Sequence, residues 1–284
     1  MVKFDINEAL ARIQQLPTLP AVLTQIMDAV ADPDASALVL AQYIAADQAL
    51  SASLLKLVNS AHYGFYRKIT SVTTAIVMLG FSEVRNVALS ATAFRSFARG
   101  QTEYDRTQLW RHSLATAMAA DRCARAIRLR DAGVYFSAGL LHDIGKVLLD
   151  TLYPDLFLEA VRSAREQGWF LRDAERVLFG LHHGEAGWAL AEHWNLPASV
   201  AEAIRFHHEP GNARFDPILT NLTTVADYIA YAAGYGESAN ARPIELPQPA
   251  VAALGASEDH IARVCQEMQT SAERIDELLG VLGG

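Results

Sequence analysis

The sequence predicts an all-α protein. Apolar residues recur with the helical period through nearly the whole chain: Leu38, Ala41, Ile44 and Ala45 share one face, and Leu54, Leu57 and Val58 share another. Alternating runs joined by Asn-Gly or Asp-Gly turns are absent, so no sheet is indicated. Breakers fall between the periodic segments. Leu16-Pro-Thr-Leu-Pro20 is rigid and extended, because each proline disfavours helix at the residue before it. Asp32-Pro-Asp-Ala-Ser36 supplies capping side chains ahead of the next apolar face.

These signals place helices near residues 6–15, 20–31, 36–46, 48–59, 71–80 and 82–98. The polar stretch Arg99-Gly-Gln-Thr-Glu-Tyr-Asp105 is the best candidate boundary. A second group follows near 106–128, 132–151, 155–167, 171–179, 184–194, 197–208 and 216–233. After a turn-rich loop, Gly234 to Pro243, come a short helix near 248–254 and a long one near 257–280. In the last, Ile261, Val264, Met268, Ile275 and Leu278 form a stripe interrupted by Ser271. Such a stripe docks on the chain's own core or on a partner.

A chain of 284 residues is one large domain or two lobes sharing a core, and 51% apolar residues suffice to bury that core. The net charge of −8, with no basic stripe, argues against capture of nucleic acid. Cys123 and Cys265 form no CxxC pair and fall in helical patterns, as buried thiols of a reducing compartment. The first residues show no signal-peptide pattern, and no apolar run approaches a membrane span. A cytoplasmic protein without a membrane partner is the expectation.

Chemistry concentrates in Leu140-Leu-His-Asp-Ile-Gly-Lys146. Read as one helix, it puts the His142 imidazole and the Asp143 carboxylate on neighbouring bearings, where both reach one divalent ion. Lys146, one turn on, faces the same side and can meet a phosphate oxygen. His112, His183, His207, His208 and Asp227 lie on other helices. The seven side chains suit two ions about 3.5–4 Å apart, bridged by a carboxylate and activating a water. Imidazole and carboxylate favour Fe, Mn, Zn or Ni over Ca. Each residue also has a plainer reading. A mid-helix histidine such as His112 is usually packed, tandem histidines at a helix end cap carbonyls, and Asp227 can sit at a half-exposed position. His62, His193 and His260 lack partners in the pattern, and Trp110, Trp169, Trp188 and Trp194 fall at core spacing.

Several blocks in order resemble the HDOD family: Leu16-Pro-Thr-Leu-Pro20, Asp32-Pro-Asp34, Ile44 to Leu50, Leu54 to Gly64, Ile69 to Gly80, Leu109-Trp-Arg-His-Ser113 and Ala138 to Lys146. The resemblance covers roughly residues 13–230. It implies a bilobed helical fold, with an N-terminal lobe over 1–100, a lobe related to the HD and HD-GYP phosphohydrolases over 101–235, and a C-terminal loop and helices over 236–284. Its members serve in bacterial signal transduction, and many have lost part of the HD residue set and are regarded as non-catalytic. This chain keeps the HD order as His112, His142-Asp143 and Asp227, while His183, His207 and His208 match the extra histidines of two-metal HD-GYP sites. Gln108 stands where a third metal would need an acidic residue, and Pro210-Gly211-Asn212 replaces the Gly-Tyr-Pro tripeptide. Cyclic-di-GMP hydrolysis of the HD-GYP type is therefore not expected.

Two functions follow. One is a signalling or regulatory module with an HD-type site for one or two divalent ions, acting on a signalling protein or through a homodimer. The other is a metal-dependent phosphohydrolase for a nucleotide or other phosphate-containing small molecule, with Asp143 and Lys146 as its catalytic residues.

Overall fold

Capping side chains set where several of the helices begin. The computed structural model describes residues 36–59, 65–81, 104–129, 132–235 and 244–282, with isolated positions between 25 and 93. The segments expected as helices at 6–15, 20–31 and 82–98 lie wholly or mostly outside the described residues, as do Leu16–Pro20, Asp32–Asp34 and His62. Among the described residues, the first helices with defined bounds are α1 (Ala37–Ala45), α2 (Gln48–Val58) and α3 (Val72–Leu79). The Ser36 hydroxyl accepts from the Val39 N–H at the start of α1, and Ser71 does the same for Thr74 at α3. Between α2 and α3 the Asn59 amide clamps the chain: it donates to the carbonyls of Leu55 and Ile69 and accepts from the Ile69 N–H, each at 2.7 Å.

The second run holds α4 (Arg106–Ala126), α5 (Ala132–Leu141), α6 (Ile144–Leu152), α7 (Pro154–Gln167), α8 (Leu171–Phe179), α9 (His183–His193), α10 (Ala198–Phe206) and α11 (Pro217–Ala232). Asp105 caps α4 and Asp216 caps α11. Helices α7 and α8 stop at Gly168 and Gly180, whose φ of 64° and 73° a side chain would oppose. The chain closes with α12 (Gln248–Ala253), α13 (Glu258–Gln269) and α14 (Ala272–Leu282). No strand occurs among the described residues, so the all-α expectation holds.

Two expected helices are each divided. The 132–151 segment breaks at His142-Asp143, which form a turn, with Asp143 at φ −100°, ψ 10° as the residue before α6. The 257–280 segment breaks at Thr270-Ser271. Cys265 is half-buried, where both thiols were expected to be buried, whereas Cys123 is enclosed, and burial pushes its thiol up to about 12.

The chain divides into two units. One takes its described residues from Gly100–Arg130 and Val134–Thr270, the other from Leu19–Arg99, Asp131–Gly133 and Ser271–Gly284. In the smaller unit α1, α2 and α3 pack on one another and α14 packs on α2, where Lys56 Nζ donates to the Gly280 carbonyl at 3.2 Å. In the larger unit α4 packs on α11 and α13, α6 on α9, and α9 on α10. Ile261, Val264 and Met268 form the buried face of α13. The first half of the C-terminal stripe thus docks on the chain's own core.

Candidate metal centre

Glycines let four helices approach closely, in two pairs, to form one site. A Cβ on Gly139 would lie 2.9 Å from the Ala117 Cα and from the Thr116 carbonyl, so α5 rides directly on α4 and brings His142 to His112. A Cβ on Gly145 would lie 1.8 Å from the His183 carbonyl oxygen, and this contact of α6 with α9 brings Asp143 to His183. His207 caps the end of α10, His208 follows it, and Asp227 lies on α11.

All seven side chains singled out in the sequence as metal ligands converge. His112, His142, Asp143, His183 and His207 are at most 2% exposed, Asp227 is 7% exposed, and His208 is half-buried. The half-exposed alternative for Asp227 is thereby excluded. Two groups of ligand atoms form, each lying within 4.8 Å of one another: His112, His142 and Asp143, and Asp143, His183, His207 and His208. Asp143 belongs to both. Its Oδ2 lies 3.8 Å from His112 Nε2 and 3.4 Å from His142 Nε2, while its Oδ1 lies 3.3 Å from His183 Nε2 and 3.7 Å from His207 Nε2. Asp227 Oδ1 adds to the first group, 3.0 Å from His112 Nε2 and 3.7 Å from His142 Nε2.

Backbone carbonyls decide which ring nitrogen faces inward. His112 Nδ1 lies 3.0 Å from the Tyr235 carbonyl, His142 Nδ1 2.7 Å from Gly139 O, and His207 Nδ1 2.8 Å from Ile204 O. A carbonyl only accepts, so Nδ1 carries the proton and donates. The Nε2 atoms of His112, His142 and His207 then point into the site. These three atoms and Asp143 Oδ1 are buried without a hydrogen-bond partner. Orphaned polar atoms at this depth are costly unless something binds them. The donor set fits a divalent ion of the imidazole–carboxylate class. His207 also satisfies its plainer reading, since its Nδ1 caps a carbonyl of α10 while its Nε2 faces the site.

Charge follows the same division. Burial alone would depress His142, but the Asp143 and Asp227 carboxylates outweigh it and hold the imidazole up at about 10. In the other group burial and neighbouring cations hold His183 down at about 3 and keep His207 and His208 well below the usual range, so these rings are neutral, the ligand form. Burial would raise both aspartates, yet facing imidazoles hold them well below the ordinary carboxylate value, with the Lys146 ammonium adding to the effect at Asp143.

Lys146 is 1% exposed, and its Nζ lies 2.6 Å from Asp143 Oδ2. The turn at His142-Asp143 changes how the motif works. The pair does not project from one helix; Asp143 sits at the head of α6, and its two oxygens face different helices.

Sequence reading missed Glu175. It lies on the buried face of α8 with Leu171, Ala174 and Phe179, and its Oε2 accepts from His183 Nδ1 at 2.6 Å. The signal was present: Leu171, Glu175 and Phe179 are spaced by four, so an acidic residue interrupts an apolar stripe. His182 lies beside the site as the N-cap of α9, its Nδ1 accepting from the Gly184 N–H in a capping box with Glu185. Trp110 and Trp194 are core residues, whereas Trp188 is half-buried with the Arg205 guanidinium 4.2 Å over its ring. His260 belongs to the capping box of α13.

Residues 16–210 match the HDOD domain model, and the chain belongs to that family. Over 215 residues it is 31% identical to an uncharacterized protein of Treponema pallidum, a stretch covering 74% of this chain and 41% of that protein. It therefore spans under half the length of that relative. Its fold matches the crystal structure of an HDOD domain protein of unknown function from Geobacter sulfurreducens, with TM-score 0.83, 26% identity and coverage of 96% and 99% of the two chains. A candidate signal transduction protein of Marinobacter aquaeolei shares the fold, with TM-score 0.86, 22% identity and coverage of 98% of this chain and 65% of the other. No single helix among the described residues is long and apolar enough to cross a membrane.

Proposed function

We propose that this protein is a signal-transduction module of the HDOD family that holds one or two divalent ions in its HD-type site. One observation carries the metal reading: Asp143 turns one carboxylate oxygen to each of two groups of inward-facing imidazole nitrogens. His112, His142, Asp143 and Asp227 would hold one ion, and Asp143, His183, His207 and His208 the other. The signalling role is supported by the family and by the name given to the Marinobacter aquaeolei protein. The receiver of the signal is a protein partner or a second copy of the chain.

Elemental analysis of protein purified without chelators or an immobilised-metal column tests the metal reading. One or two equivalents of Fe, Mn, Zn or Ni are expected. A chain that stays metal-free after dialysis against each of these ions sinks the reading.

The shared carboxylate also suits a second reading, a phosphohydrolase acting on a nucleotide or other phosphate ester. Bound ions would supply a water of lowered pKa and charge for the phosphate. From this chain, Asp143 would hold both ions and Lys146 would steady Asp143 and the developing negative charge. Half-buried His208 is the most open of the seven side chains. A phosphate-ester screen of Mn- and Fe-loaded protein separates the two readings. Turnover abolished by Asp143→Ala supports the hydrolase, and background rates throughout support signalling alone. Linear product from cyclic-di-GMP would overturn the reading of Pro210-Gly211-Asn212 as a departure from HD-GYP enzymes.

A further inference from the structure

Glu175 has no part in the ligand set, yet it is 0% exposed and lies against one of its members. Its Oε2 accepts from the His183 backbone N–H at 2.8 Å and lies 2.6 Å from His183 Nδ1. Its Oε1 has no hydrogen-bond partner. A helix that only had to pack would carry an apolar residue here, as α8 does at Leu171, Ala174 and Phe179.

The bonding fixes the ring. A backbone N–H only donates, so Oε2 is the acceptor, and with Glu175 ionised the adjacent Nδ1 carries a proton and donates to the same oxygen. His183 Nε2 is then left with its lone pair, 3.3 Å from Asp143 Oδ1 and 2.8 Å from His208 Nε2. His112, His142 and His207 obtain the same tautomer from backbone carbonyls. His183 obtains it from a side chain, which also accepts from the His183 backbone N–H at the start of α9.

We propose that Glu175 is a positioning residue for one half of the metal site: it holds His183 as the Nδ1–H tautomer and aims Nε2 at the ion shared with Asp143, His207 and His208. The proposal rests on the metal reading above. A carboxyl on the far nitrogen of a ligating imidazole fixes the ring and raises its basicity, and losing such a partner typically weakens metal binding about 10–100-fold. The other half of the site, built on His112, His142 and Asp227, does not touch Glu175. The two halves should therefore respond unequally.

The test uses the full chain as wild type, Glu175→Ala, Glu175→Gln and His183→Ala. Each is dialysed against graded Co²⁺, with bound metal read by elemental analysis. The His183 tautomer of metal-free protein is read separately from long-range proton–nitrogen NMR correlations. Glu175→Ala should weaken the same ion as His183→Ala by about 10–100-fold and leave any other ion within a few-fold of wild type. Glu175→Gln keeps a carbonyl acceptor for Nδ1–H and should restore most of that loss. Wild type should show Nδ1–H, and Glu175→Ala a mixture of tautomers. Wild-type Co²⁺ binding and tautomer in Glu175→Ala would overturn the proposal. So would equal weakening of every ion together with a lowered melting temperature of the metal-free chain, the mark of a merely structural residue. A wild-type chain that binds no ion overturns the metal reading itself and this proposal with it; intact wild-type binding that ignores Glu175→Ala overturns this one alone.

Discussion

Gly145 and His183 touch through their backbones: a Cβ on Gly145 would sit 1.8 Å from the His183 carbonyl oxygen and 2.7 Å from the Gly187 N. The neighbouring atoms are backbone, so no rotamer change relieves the overlap. Gly145→Ala should push α6 from α9. Overpacking of this kind costs about 1–3 kcal/mol, and more where backbone must move. For a chain of this size, about 3 kcal/mol lowers the melting temperature by roughly 6–12 °C. The same shift separates Asp143 from His183, so bound metal should fall as well. A Gly145→Ala chain with wild-type melting temperature and metal content would show that the contact does not set the site.

Asp143 joins the two ligand groups, so its loss should release metal from both, whereas His183→Ala should release it from one. Asp143→Ala also takes the carboxylate from Lys146, a buried ammonium 2.6 Å from Asp143 Oδ2. Breaking a buried pair by removing one partner costs about 3–5 kcal/mol. Asp143→Asn is therefore the cleaner probe, since it keeps a carbonyl oxygen for Lys146. Metal titration of Asp143→Asn and His183→Ala by elemental analysis checks the order. Equal losses would contradict a bridging role for Asp143.

The helical period was legible because it depends on neighbours in sequence, and so were the seven side chains that converge, which are uncommon residue types in helical stretches. What could not be read depends on distant contacts. Ala138 to Lys146 keeps a helical pattern on both sides of His142-Asp143 and contains no proline, so the break there has no local signal. It is stabilised where Lys146 reaches Asp143 and Gly145 meets α9. The break before α14 did leave a trace in Thr270-Ser271, two poor helix formers interrupting the stripe. The tautomer of His112 depends on the carbonyl of Tyr235, 123 residues away, which no window of sequence contains.

Glu202 offers a pH test away from the metal ligands. Its Oε1 accepts from the Arg214 N–H at 2.7 Å and the Phe215 N–H at 2.9 Å, and its Oε2 from Asp216 N–H at 2.7 Å, closing the loop between α10 and α11. Partial burial would raise its carboxyl, but these N–H groups and the Arg214 guanidinium outweigh it and hold the group below its ordinary value of 4.5. The folded state thus binds the proton less well than the unfolded chain. The stabilisation is fully present above about pH 4.5 and is lost as pH falls through the lowered folded value. Glu202→Gln should cost about 1 kcal/mol at pH 7, a modest figure because the group is partly solvated. Denaturant titrations from pH 7 to pH 3 should show the difference from wild type shrinking only below about pH 4.5. A constant difference across the range would mean that ionised Glu202 does not hold the loop.

The C-terminal stripe should act by covering the core. On α13, Ile261, Val264 and Met268 are buried, and α13 packs on α4 and α11, the helices that carry His112 and Asp227. Burying three such side chains contributes about 1.5–3 kcal/mol each, which is a large part of a typical domain stability of about 5–15 kcal/mol. Val264→Asp, which puts a charge on the buried face without removing any chain, should lower the melting temperature sharply and expose apolar surface to a reporter dye. Metal stoichiometry of the folded fraction should stay unchanged, because no ligand lies on α13. Affinity should fall only slightly, through one relay: the Tyr235 hydroxyl donates to the Met268 carbonyl at 2.5 Å, and the Tyr235 carbonyl accepts from His112 Nδ1. Size exclusion with light scattering, run on wild type, Val264→Asp and a chain truncated before Ser257, distinguishes core from interface. Loss of fold or soluble aggregation in both variants supports the core role. A truncated chain that melts like wild type but passes from dimer to monomer would make this face an interface between copies.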